Sequence, residues 1–114
     1  GEPIPTLAQL LGLIAGRVPL ICEIKSGFDG DTRLTAGAAE IAAAYDGPLA
    51  FKSFDPEIAA FLRAGACPRP LGIVAEADYD DPYFAALSPA QKRGWTCRYG
   101  RLGSLSGCSS GAPL

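Results

Sequence analysis

The sequence contains no histidine. Histidine is the side chain whose unperturbed pKa lies nearest neutrality, which makes it the commonest general acid and base. A hydrolase built from these residues must find its proton donor elsewhere. Cysteine is sparse and scattered: Cys22, Cys67, Cys97 and Cys108 form no CxxC pair, so metal-finger spacing is absent. In an alanine-rich chain of this type the four cysteines argue against a disulfide scaffold and for a reducing, cytoplasmic setting. Neither sign of charge dominates. The net charge of −2 points to neither nucleic acid nor a membrane surface. No apolar run is long enough to span a bilayer, and no charged-then-apolar leader opens the chain.

What is present suffices for one modest domain: 114 residues, 48% of them hydrophobic, enough for a core. Thr6-Leu7-Ala8-Gln9 reads as a capping box, followed by Leu7, Leu10, Leu11 and Ile14 at helical spacing, with Gly16 as the stop. Residues 18 to 25 read as a first strand. The polar turn FDGDTR leads into an alanine-rich helix from about Thr35 to Tyr45, ended by Asp46-Gly47-Pro48. Leu49 to Ser53 form a second strand. Asp55-Pro56-Glu57 then starts a helix to about Ala64, with Asp as N-cap, Pro at N1 and an acid in the first turn. Leu71 to Ala75 make a third, apolar strand.

Alternating helices and continuously apolar strands predict an α/β fold with parallel strands covered by helices. Three strands close nothing by themselves, and edges this apolar invite pairing, so the pattern reads as a piece of a larger barrel or sheet that would self-associate in isolation. From Gly94 the periodicity stops. GWTCRYGRLGSLSGCSSGAPL holds five glycines and four serines, so residues 94–114 read as a disordered or unrelated tail to a domain spanning 1–93.

PLICEIKS carries the chemistry. Side chains alternate along a strand, so Glu23 and Lys25 share one face. In α/β proteins, ligand sites lie at the carboxyl ends of the strands. There this chain places Glu23 and Lys25 on the first strand, Lys52 and Ser53 on the second and Glu76 on the third. A carboxylate in that position can hold a hard cation, and a lysine two residues on can face a phosphate oxygen. The plainer reading of Glu23 and Lys25 is a solvated pair worth little. Ser53 has no base beside it to make it a nucleophile and is expected to bond to local backbone. Phe54 reads as core or pocket wall.

Pro5-Thr6-Leu7, Glu23-Ile24-Lys25 and Ser53-Phe54-Asp55 occur in an order and spacing that resemble the middle of the glycerophosphodiester phosphodiesterase family. GIVAEADYD and LSPAQKR resemble the stretch that follows in bacterial members, so the likeness spans roughly residues 3 to 93. It implies a TIM-type (β/α)₈ barrel of which this chain is a central part, about three parallel strands with their helices. It also implies a place in glycerophospholipid metabolism, hydrolysing a glycerophosphodiester to an alcohol and sn-glycerol 3-phosphate. By resemblance, Glu23 is a ligand of a divalent metal, Mg²⁺ or Ca²⁺, and Lys25 lies near the substrate phosphate; Ser53, Phe54 and Glu76, from their places at the strand ends, are candidates for the pocket lining. The family's histidine-arginine-glycine and histidine-aspartate motifs, and the glutamate-x-aspartate metal pair that lies between them, belong upstream of the stretch resembled here and have no counterpart ahead of it in this chain. No catalytic residue is therefore assigned. The chain alone is expected to be inactive, and two alternatives stand: a non-catalytic interaction module or complementing half-barrel, and a different phosphate-handling barrel.

Overall fold

Thr6 starts the first helix through the reciprocal cap that its sequence encodes. Its hydroxyl accepts from the Gln9 N–H at 3.1 Å, and the Gln9 side chain accepts from the Thr6 N–H at 2.8 Å. The computed structural model describes residues 2–76 and 78–99. Helix α1 (Leu7–Ile14) leads to strand β1 (Leu20–Glu23), α2 (Arg33–Ala43), β2 (Leu49–Ser53), α3 (Pro56–Ala64) and β3 (Leu71–Ile73). A 3₁₀ turn (Pro82–Phe84) and helix α4 (Pro89–Tyr99) follow. The chain leaves α1 at Ala15, already left-handed at φ 51°, one residue before the glycine that the sequence offers for the purpose. Helix α2 begins two residues earlier than its apolar pattern, because Asp31 accepts the Arg33 N–H at 3.0 Å. Asp55 caps α3 as expected, accepting the Glu57 N–H at 3.0 Å, with Pro56 in the first turn.

The fold is α/β. The three strands form one parallel sheet in the order β1-β2-β3, with Glu23 in register with Lys52 and Lys52 with Gly72. Alternation then sorts the side chains. Leu20, Cys22 and Ile24, with Leu49, Phe51 and Leu71, turn toward the helices and pack with Leu11, Ala42, Ile58 and Leu62 as the main core. Among the described residues no helix covers the other face: Ile21 stands 69% exposed on it, next to Glu23. An apolar residue left in water in mid-strand marks a surface without its covering layer, since parallel sheets are ordinarily covered on both faces.

A second, aromatic cluster sits beyond the carboxyl ends of the strands. Tyr79, Phe84 and Leu87 are buried there, with Phe28, Phe54, Tyr83 and Trp95 packed around them. The first residues of the stretch expected as a tail take part in this cluster. Helix α4 continues through Gly94, and the Trp95 ring lies 5.6 Å from Tyr79 and 5.7 Å from Phe28. One large ring docked into an aromatic pocket supplies the burial that the glycine-rich composition hid. The remainder of the expected tail, residues 100–114, lies outside the described residues.

At the opposite end of the sheet, half-buried Arg69 ties down the C-terminus of α2. Its guanidinium donates to the carbonyls of Gly47 at 2.7 Å, Ala42 at 3.0 Å and Tyr45. The Tyr45 hydroxyl in turn accepts from the Gly16 N–H at 2.9 Å, linking the end of α1 to the end of α2. Helix ends leave carbonyls without intrahelical partners, and a guanidinium fork meets several at once. Arg69→Met keeps the apolar stem and removes the donors. We expect it to destabilise the fold by roughly 2–3 kcal/mol, since bonds to charged groups are the stronger ones, as read by urea denaturation. A loss below experimental error would mean that water replaces the guanidinium freely.

Candidate functional site

The register of β1 against β2 builds the site. Glu23 lies beside Lys52 across the ladder and ends β1 two residues before Lys25, so one carboxylate and two ammonium groups meet on the open face at the carboxyl ends of the strands. The Lys25 Nζ donates to a Glu23 carboxylate oxygen at 2.6 Å, and the Lys52 Nζ lies 3.9 Å from the other oxygen. The Glu23 bond, before any other influence, raises the pKa of Lys25 above its ordinary value, so the ammonium stays charged across the physiological range. One carboxylate against two lysines leaves the patch with an excess of one positive charge. Phe54, half-buried on the same face, puts its ring 5.4 Å from the Lys25 Nζ.

Ser53 does not join them. With Lys52 facing Glu23, its neighbour must point the other way, and the Ser53 side chain is buried on the helix-covered side. Its hydroxyl donates to the Ile24 carbonyl at 2.7 Å and accepts from the Asp55 N–H at 3.1 Å. Buried Asp55 extends this staple, accepting from the Ser26 hydroxyl at 2.6 Å, while Ser26 accepts from the Phe28 N–H at 2.9 Å. Ser53, Asp55 and Ser26 therefore fix the exits of β1 and β2 relative to each other. They aim the rim; they do not line it. Glu76 is exposed, and its backbone N–H donates to the Tyr79 hydroxyl at 3.4 Å.

Sequence reasoning missed Tyr83. Its hydroxyl accepts from the Ser26 N–H at 3.1 Å, and its ring lies 5.1 Å from the Lys25 Nζ. Phe28, Phe54, Tyr79, Tyr83, Phe84 and Trp95 follow no helix or strand period, which is the signal that pattern reading uses.

Glu23 is the single carboxylate of this patch, and among the described residues no group of three or more His, Cys, Asp or Glu could hold a metal ion. Mg²⁺ and Ca²⁺ take about six or more oxygen ligands, and two ammonium groups beside Glu23 oppose a cation. The described residues do not by themselves fit a divalent metal. In the loop that follows β1, Arg33 grips Asp31 with Nε and a terminal nitrogen, the shortest contact being 2.6 Å, and lowers the Asp31 pKa from 3.8 to about 2. A carboxylate held below its unfolded value contributes stability above pH 3.8 and loses it as pH falls toward 2. The pair is exposed, so the contribution is small. A carboxyl-carbon NMR titration is expected to find the Asp31 midpoint near 2, and Arg33→Gln to return it toward 3.8. An ordinary midpoint in the unsubstituted chain would show the pair open in solution.

Among the described residues no helix is long and apolar enough to cross a membrane. Comparisons with family models, curated proteins and solved structures find no match to this chain.

Proposed function

We propose that this chain is the phosphate-facing part of a (β/α)₈-barrel phosphodiesterase of the glycerophosphodiester type. The observation that carries the reading is the juxtaposition of Glu23, Lys25 and Lys52 on the uncovered face, at the carboxyl ends of parallel strands. A barrel supports it in preference to a doubly wound sheet. The main core lies on one face of a consecutively ordered sheet, while Ile21 and the charged trio occupy the other, where a barrel keeps its interior. On this reading the two ammonium groups take the charge of a bridging phosphate, and Phe54 walls the pocket. Glu23 would be one ligand of a Mg²⁺ or Ca²⁺ whose other ligands come from outside the described residues.

The test is binding, which does not need the absent acid and base. Titrating the 114-residue chain with sn-glycerol 3-phosphate is expected to shift the amide signals of Lys25 and Lys52, and added salt to reverse the effect. Lys52→Ala should weaken binding several-fold. Signals that stay fixed up to tens of millimolar ligand would refute the reading. The exposed face and the outer edges of β1 and β3, which pair with no other strand among the described residues, favour a second reading, a half-barrel that docks onto strands supplied by a partner.

A further inference from the structure

The ammonium of Lys25 has three neighbours, and only one of them is a charge. Besides the Glu23 carboxylate at 2.6 Å, the Tyr83 ring lies 5.1 Å away and the Phe54 ring 5.4 Å away. A lysine side chain with 63% of its area exposed, on four rotatable bonds, would otherwise sweep a wide arc or collapse onto its acid partner. A cation near two aromatic rings is held by their quadrupoles without being neutralised by them. The rings keep the charge available for an anion while fixing where it sits.

Tyr83 is itself fixed. Its hydroxyl takes the N–H of Ser26, the residue after Lys25, at 3.1 Å, so the ring is tied to the strand end whose lysine it faces. The turn Pro82–Phe84 that carries it is capped by Asp81, which accepts the Tyr83 N–H at 2.8 Å. Phe28, Phe84 and Phe54 pack around the ring with centroids at 5.2, 5.1 and 5.9 Å, all edge-on. The aromatic cluster beyond the sheet thus has one ring with a direct bond to β1's exit and a direct view of the functional lysine.

We propose that Tyr83, with Phe54 as the second wall, is a positioning residue that holds the Lys25 ammonium over the open face, where a phosphate monoester or diester is taken. This rests on the phosphate reading above and adds to it which part of the chain sets the lysine's place. The segment after β3 tunes anion affinity although it contributes no charge to the site.

The 114-residue chain, carbon-13 labelled at lysine, tests both parts separately. In the ligand-free protein the Lys25 Hε signals are expected well upfield of the other lysines, because the two rings shield them. Tyr83→Phe keeps the ring and should keep that shift; Tyr83→Leu should lose most of it. On titration with sn-glycerol 3-phosphate, Tyr83→Leu should bind about fivefold more weakly, the scale of an exposed cation–π contact, and Tyr83→Phe within about twofold of the unsubstituted chain. Phe54→Leu removes the other ring from outside the 3₁₀ turn and should move both readouts in the same direction, which keeps the test open if Tyr83→Leu unfolds. Unshifted Hε signals with binding intact would overturn the clamp and leave the phosphate reading standing. Shifted signals in a chain that binds no glycerol phosphate would overturn both. Leucine variants that bind as tightly as the unsubstituted chain would reduce Tyr83 to packing alone.

Discussion

Glycerophosphocholine incubated with the 114-residue chain and Mg²⁺ is expected to survive intact, with no release of choline above a metal-only blank. The sequence contains no histidine, and the described rim brings together one carboxylate, Glu23, and two ammonium groups, Lys25 and Lys52. Lys25 is held protonated by Glu23 and so cannot serve as a base near neutrality, and the Ser53 hydroxyl is buried on the far side of the sheet. Loss of a general acid or base typically costs ~10²–10⁴-fold, and on the phosphodiesterase reading the chain lacks the histidines for both roles while, among the described residues, Glu23 has no companion carboxylates at the rim. The expected deficit is therefore several orders of magnitude. Measurable turnover that disappears in Glu23→Gln would overturn this and place the acid–base chemistry on the lysine-glutamate trio itself.

Phe51→Ala is expected to remove most of the folding stability at 25 °C. Phe51 is 1% exposed at the centre of the middle strand, in register with Cys22 on one side and Leu71 on the other, and in the same core as Ile58 and Leu62 of α3. Truncating a buried phenylalanine to alanine costs about 3–5 kcal/mol through lost burial and the cavity left behind. Domains of this size have on the order of 5–15 kcal/mol in total, and a sheet with one open face belongs at the low end. Leu34→Ala is the control: that side chain is 66% exposed on α2, and its removal should stay within about 0.5 kcal/mol. Urea denaturation followed by circular dichroism reads both. Equal, small effects would mean that the sheet–helix interface is not what stabilises the chain.

Much of the architecture was legible locally. The Thr6–Gln9 capping box, the Asp55 cap with Pro56 behind it and the three apolar strands all lie where short-range patterns put them. The shared face of Glu23 and Lys25 was legible too, because the two-residue period of a strand is a property of the backbone and needs no partner. The side on which Ser53 would fall was not. That depends on which residue of β2 lies beside Glu23, a register fixed by pairing between strands whose residues are 29 apart, and a one-residue difference in pairing exchanges the faces of Lys52 and Ser53. Arg69 is a further case: a lone arginine between two prolines gives no sign that three carbonyls from 22 to 27 residues away will converge on it.

The amino-acid sequence by itself determined the elements up to β3, their parallel arrangement and the charged strand end, since these follow from propensity, capping and alternation within a few residues. Only the tertiary structure decided that Lys52 joins Glu23 and Lys25 on one face, that Ser53 turns to the other and that Tyr83 reaches across 58 positions of sequence to face Lys25. Register and aromatic packing are set by which surfaces bury each other, and that free energy belongs to pairs of distant segments, not to any stretch of the chain taken alone.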